Sequence, residues 1–147
     1  MRRKGEIIII EDDEDDRLFL QDIFDSLQYP NKIKFINKIK FIEDPMEAIP
    51  YLSNPSVLPF LIISDINMPK INGFELREQI MSIGEIGTKC VPYIFLSTSK
   101  NPENVLKAYS CNVQGYFKKQ ENFADYKAMI KNIMEYWLLS LTPSVSI

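Results

Sequence analysis

The chain has 147 residues, 46% of them hydrophobic, and a formal net charge of −3. That is enough apolar material for one compact core, too much for a disordered chain, and the wrong charge for a nucleic-acid-binding surface. It contains no histidine, which excludes a His-based triad or a His-ligated zinc site, and its two cysteines, Cys90 and Cys111, suit reduced cytoplasmic thiols rather than a disulfide framework. No stretch approaches the ~20 apolar residues of a membrane span. Basic Met1-Arg2-Arg3-Lys4 leads into an apolar run too short for a secretion signal. A soluble, cytoplasmic protein is expected, with no membrane partner and no direct nucleic-acid partner.

Ile7-Ile8-Ile9-Ile10 is a β-branched run of the kind buried on both faces of a parallel sheet. It stops at Glu11-Asp12-Asp13-Glu14-Asp15-Asp16. Helical spacing then begins, with Phe19, Ile23 and Leu27 on one face and Leu20 and Phe24 beside them. Carboxylates in a first helical turn are favoured by the helix dipole, and Glu14, Asp15 and Asp16 are assigned to that alone. Glu11 and Asp12 stand apart at the strand end, with Asp13 replacing Glu11 if the register slides by one.

Tyr29-Pro30-Asn31 closes the helix. Residues 31–42 alternate lysine with Ile or Phe and contain Asn-Lys-Ile-Lys-Phe twice. The pattern predicts an edge strand, either long or folded back as a hairpin-like excursion. Asp44-Pro45-Met46-Glu47 is a capped helix start, and Pro50 shortens the helix that follows. Phe60-Leu61-Ile62-Ile63 is a second buried strand, ending on Ser64-Asp65. Pro69 and Asn72-Gly73 read as breakers. Phe74, Leu76, Arg77, Ile80 and Met81 are helical in pattern up to Gly84 and Gly87.

Pro92 opens a strand that runs through Leu96 and ends at Ser97-Thr98-Ser99. Asn101-Pro102-Glu103 caps a helix carrying Val105, Leu106 and Tyr109. Val113-Gln114-Gly115-Tyr116-Phe117 is a short strand ending at Lys118-Lys119, and Phe123, Tyr126, Ile130, Ile133 and Trp137 recur at helical spacing. We expect one domain over residues 1–147, a core over about 5–139, a frayed tail at 140–147, no linker and no output domain. Strand and helix alternate five times. The expected fold is α/β, a flavodoxin-like doubly wound (βα)5 with a parallel five-stranded sheet in order 2-1-3-4-5 and helices on both faces.

In such a sheet the carboxyl ends of the strands share one edge. They deliver Glu11 and Asp12, Asp65, Ser97 and Lys119. Clustered carboxylates raise one another's pKa unless a cation neutralises them, and a hard ion such as Mg²⁺ prefers oxygen ligands. An ionised Asp65 beside such a cation can attack phosphorus and form an acyl phosphate, while Lys119 and the Ser97 hydroxyl meet charge on the phosphoryl oxygens.

Ile-Ile-Ile-Ile-Glu-Asp-Asp-Glu-Asp-Asp, Ser-Asp-Ile-Asn-Met-Pro, Phe-Leu-Ser-Thr-Ser and Gly-Tyr-Phe-Lys-Lys, in this order and at these spacings, resemble the motifs of response-regulator receiver domains, over nearly the whole chain. The resemblance implies that Asp65 is the phospho-acceptor. Asp12 is then the principal acidic Mg²⁺ ligand, with Glu11 its helper and the Asn67 backbone carbonyl a third ligand. Ser97 becomes the switch hydroxyl, Tyr116 the switch aromatic and Lys119 the phosphate-pairing lysine. On sequence alone a strand tyrosine such as Tyr116 is more often a core residue than a switch. The alternatives are a helix-capping or turn residue for Ser97 and a solvated charge for Lys119.

Two departures stand out. Gln120 replaces the proline that usually follows the lysine, and Thr98 replaces a small residue after the switch hydroxyl. The function implied is a phosphorylated two-component switch, not an enzyme. Its partners would be a sensor histidine kinase or phosphotransfer protein and a downstream protein target. The face made by the fourth helix, fifth strand and fifth helix, with Tyr109, Tyr116, Tyr126 and Trp137 along it, is expected to be the partner or homodimer face. Some of the four belong to the core, since helical spacing places Trp137 with Phe123 and Ile130. The alternative is that all four are core and the chain is monomeric. The competing readings are a pseudo-receiver that never takes phosphate and a Mg²⁺-dependent aspartyl phosphohydrolase. The latter would want a second acid/base aspartate where this chain has Asn67.

Overall fold

The computed structural model describes residues 5–27, 38–84 and 90–142. Its strands are β1 (Glu6–Ile10), β2 (Ile39–Ile42), β3 (Pro59–Ser64), β4 (Tyr93–Ser97) and β5 (Gly115–Lys118). Its helices are α1 (Glu14–Ser26), α2 (Ala48–Ser53, entered through a 3-10 turn at Pro45–Glu47), α3 (Gly73–Ser82), α4 (Pro102–Ser110) and α5 (Phe123–Leu139). Every strand pair is parallel and the order is β2-β1-β3-β4-β5, as the alternation predicts.

The isoleucine run explains the layering. Successive side chains of a strand point to opposite faces. Ile8 and Ile10 therefore join Ile62, Tyr93 and Phe95 under α2, α3 and α4, while Ile7 and Ile9 join Leu61, Ile63 and Leu96 under α1 and α5. All four isoleucines are at most 1% exposed, so truncating any one to Ala costs about 2–5 kcal/mol in transfer and cavity energy.

Asp13, Asn72, Asn101 and Asn122 cap α1, α3, α4 and α5 through side-chain oxygens. Asp13 is thereby committed to the Asp16 N–H and does not take the place of Glu11. Asn72, read as a breaker, forms a full capping box with Glu75. The next residue, Gly73, admits no side chain: an added Cβ would lie 2.4 Å from the Asp65 carbonyl oxygen. Its N–H donates to the Ile66 oxygen at 2.7 Å. The first turn of α3 is thus seated directly on the backbone of the phospho-acceptor candidate.

Among the described residues the expected edge strand runs over Ile39–Ile42. The rest of that expectation, the repeat in residues 31–37 and the helix end at Tyr29-Pro30, lies outside the described residues, as does Gly87. Of the expected tail, residues 140–142 are described: the Ser140 N–H donates to the Tyr136 oxygen, Leu141 is exposed and Thr142 is buried. Residues 143–147 lie outside the description. Among the described residues no helix is long and apolar enough to cross a membrane.

Candidate functional site

Three backbone hydrogen bonds carry the sheet one residue past its strands and fix the site. The Glu11 N–H donates to the Ile42 oxygen at 3.1 Å, the Asp65 N–H to the Ile10 oxygen at 3.0 Å, and the Lys119 N–H to the Ser97 oxygen at 2.8 Å. Side chains from three strands therefore meet at one edge. The Lys119 Nζ donates to Glu11 Oε1 at 2.7 Å, Asp16 Oδ2 at 2.8 Å and Asp65 Oδ2 at 3.2 Å. Carboxylate oxygens of Glu11, Asp12 and Asp65 all lie within 4.8 Å of one another.

Arg17, half-buried on α1, secures the loop from behind. Its Nη1 donates to the Glu11 carbonyl at 3.0 Å and to the Asp12 carbonyl at 2.8 Å. Asp65 Oδ1 accepts from the Ile66 N–H at 2.7 Å, and Glu11 Oε2 from the Asp13 N–H at 3.2 Å.

Burial, and secondly the charge of Asp65, push the Glu11 carboxyl up to about 7, against the opposing pull of Lys119. Burial draws Lys119 down, but its bonds to Asp16 and Glu11 and the charges of Glu11 and Asp65 outweigh that and hold its pKa above the ordinary lysine range. The Glu11, Asp16 and Asp65 carboxylates share this one ammonium, and Asp12 adds a further negative charge to the cluster without pairing with it. The remaining negative charge and the all-oxygen donor set fit a hard divalent cation. Asn67 sits in the exposed loop two residues beyond Asp65.

A family model described as the response regulator receiver domain matches residues 7–131. The chain belongs to this family. Among curated relatives, it is 27% identical to a probable methanogenesis regulatory protein, FilR2, of Methanothrix harundinacea, over 90% of this chain and 83% of that protein. It is 26% identical to the response regulator Rcp1 of Synechocystis sp., over 92% and 90%. Among solved structures, the phosphorylated cyanobacterial phytochrome response regulator RcpA superposes with a TM-score of 0.80 at 30% identity, covering 96% of this chain and 99% of that one. The Mn²⁺-bound form of Rcp1 superposes at 0.77 with 25% identity, covering 95% and 99%. This chain is a receiver domain of two-component signalling.

The remaining receiver positions fall around the cluster. Ser97 is 1% exposed, and its Oγ accepts from the Ser99 N–H at 3.1 Å. Tyr116, half-buried against the α3/α4 core, donates its hydroxyl to the Ser99 carbonyl at 2.7 Å. Both ends of the β4–α4 loop backbone at Ser99 are thus held by the two switch candidates. Thr98 is exposed and turned away from that buried core. The Gln120 side chain donates to the Lys118 carbonyl at 2.9 Å, and no peptide bond is cis among the described residues.

Two residues at this receiver site escaped the sequence reading. Asp16, assigned to the helix dipole, is a direct partner of Lys119. Arg17 carried no signal except its i+5 and i+6 spacing from Asp12 and Glu11. Of the aromatics expected on the output face, Tyr126 is buried, edge-on to Phe19 at 5.4 Å under α1. Trp137 is partly buried against the same core, whereas Tyr109 is 50% exposed. Tyr126 lies inside because helical spacing puts it on the Ile130 and Ile133 side of α5.

Proposed function

We propose that this receiver accepts a phosphoryl group on Asp65 and so changes its affinity for partner proteins. The observation that carries the reading is the Lys119 ammonium bridging Glu11 and Asp65, with Asp12 in the same acidic cluster. Glu11, Asp12, Asp65 and the Asn67 carbonyl would hold Mg²⁺, which supplies positive charge against the carboxylates and the transferring phosphoryl oxygens.

The donor is a phosphohistidine on a sensor histidine kinase or phosphotransfer protein. A carboxylate oxygen of Asp65 forms the new P–O bond as the P–N bond breaks. The electron pair leaves with the imidazole, which takes up a proton from solvent. The product is an acyl phosphate, so the chain is a switch rather than a turnover catalyst. Lys119 redirects the N–H it gives Asp65, the longest of its three bonds, to a phosphoryl oxygen.

Ser97 turns its hydroxyl to the same group, giving up the bond from the Ser99 N–H. That change releases the loop which Tyr116 holds through the Ser99 carbonyl, biasing a two-state element. The loop leads into α4, where Leu106 and Tyr109 are 74% and 50% exposed. We place the contact with a cytoplasmic protein target, or with a second copy of the chain, on that α4–β5–α5 face.

Incubation with a small acyl phosphate and Mg²⁺ should add one phosphate to the intact mass of the wild type and none to Asp65→Asn. Phosphate retained in Asp65→Asn, or an unmodified wild type, refutes the assignment.

A further inference from the structure

An ammonium has three N–H donors, and all three of Lys119's are in use. Two go to Glu11 and Asp65, members of the acidic cluster. The third goes to Asp16 at 2.8 Å, and Asp16 is not a member. It sits in the first turn of α1, where its own N–H is fixed by the Asp13 carboxylate at 2.9 Å. Its neighbours Glu14 and Asp15 are exposed, as first-turn acids usually are, whereas Asp16 is half-buried and turned inward.

The distances show which way Lys119 leans. It lies 2.7 and 2.8 Å from Glu11 and Asp16 but 3.2 Å from Asp65. The geometry points to Asp16 as a positioning residue for the phosphoryl transfer: it holds the Lys119 ammonium from the α1 side, off the reacting carboxylate. This inference rests on the phospho-acceptor reading of Asp65 and concerns how that site is kept ready.

A carboxylate wholly engaged by an ammonium is a poor nucleophile and a poor cation ligand, because the cation must displace the ammonium first. Asp16 relieves that competition by taking a share of the Lys119 charge. It also remains a partner of Lys119 when Glu11 and Asp65 are occupied by a cation and a phosphoryl group, since it belongs to neither set. Without Asp16 the ammonium falls back on Glu11 and Asp65, which weakens cation binding and slows phosphoryl uptake together.

The test is a double-mutant cycle on Asp16 and Lys119, read out as the Mn²⁺ dissociation constant of the metal alone and as the rate of phosphoryl uptake from acetyl phosphate. Asp16→Asn should weaken Mn²⁺ binding roughly tenfold and slow uptake, and Asp16→Glu should recover most of both. In the Lys119→Met background the same Asp16→Asn change should alter Mn²⁺ affinity less than about twofold, because the residue acts through the ammonium.

Equal losses in the two backgrounds would mean that Asp16 is only a nearby charge and would overturn the inference. So would an unchanged affinity in Asp16→Asn with Lys119 present. If the wild type binds Mn²⁺ yet takes no phosphate, the phospho-acceptor reading fails, while the Mn²⁺ cycle still decides the Asp16–Lys119 coupling. A wild type that binds no Mn²⁺ overturns both.

Discussion

The molecule buries two cations by opposite means. Lys119 is ringed by carboxylates. Arg77, 6% exposed on α3, has no anion beside it among the described residues: its Nε donates to the Cys111 carbonyl at 3.1 Å, its Nη2 to the Asn112 carbonyl at 2.7 Å, and its guanidinium lies 4.6 Å from the centre of the Tyr93 ring. Burial accordingly lowers the Arg77 pKa, whereas the anions around Lys119 raise that of the lysine. The Cys111 and Asn112 carbonyls are neutral, the second also accepting from the Gln114 side chain at 3.0 Å, and offer nothing for a cation to compete over, so Arg77 is a fixed tie between α3 and α4. Carboxylates that, in the proposed function, also serve a metal and a phosphoryl group make Lys119 a tie that can be redirected. A buried charge is permanent or transferable according to whether its partners have somewhere else to go.

The largest expected effect breaks the second kind of tie. Lys119→Met leaves Glu11 and Asp65 buried without their cation and should lower unfolding free energy by about 3 kcal/mol at pH 8 in chelator. Millimolar Mg²⁺ should restore most of it by binding the folded state. Denaturant midpoints with and without Mg²⁺ decide this, and a loss that Mg²⁺ leaves untouched would place the two cations in one class. Arg77→Met should cost about 2 kcal/mol by taking the guanidinium donor from the Cys111 carbonyl and leaving the Asn112 carbonyl with Gln114 alone. Mg²⁺ should not restore it, and the rate of phosphoryl uptake should stay near wild type.

The next effect is pH-dependent. The folded Glu11 pKa of about 7 stands above the ordinary 4.5, so between these values the folded chain binds more protons than the unfolded one. Its contribution therefore lowers stability as pH rises from 4.5 to 7 and is flat above. Midpoints at pH 5 and pH 8 in chelator should show the decline, and Glu11→Gln should flatten it. The smallest effect belongs to the exposed Lys70–Asp44 pair, 2.9 Å apart. Lys70→Ala should leave the midpoint unchanged within measurement, since solvent screens such a pair.

The sheet was legible in the sequence because its signals are one-dimensional. Ile7-Ile8-Ile9-Ile10 is apolar at every position, and strand alternation with helical spacing dictates the order. Glu11, Asp12, Asp65, Ser97 and Lys119 were legible for the same reason: each ends a strand or lies within two residues of its end. Asp16 and Arg77 were not. A first-turn aspartate has a sufficient local explanation, and only the three-dimensional approach of β5 to α1 gives it a second partner. Arg77 falls on the apolar face by spacing, but its burial depends on α4 ending with its carbonyls above that face. Tyr126 was left open between surface and core because an aromatic on α5 satisfies an interface pattern and a core pattern equally well.

Trp137 is the single tryptophan of the chain, partly buried and packed edge-on to Tyr136 at 4.9 Å. It lines a cavity of about 400 Å³ at the amino ends of the strands, beside Pro59 and Pro92. Asp65 stands at the other end of β3, roughly 20 Å away along the strand. The tryptophan emission of this protein is therefore remote from direct quenching by a metal at the acidic cluster. Any change in its emission on phosphorylation must have travelled the length of the sheet, so the optical signal reports transmission rather than occupancy.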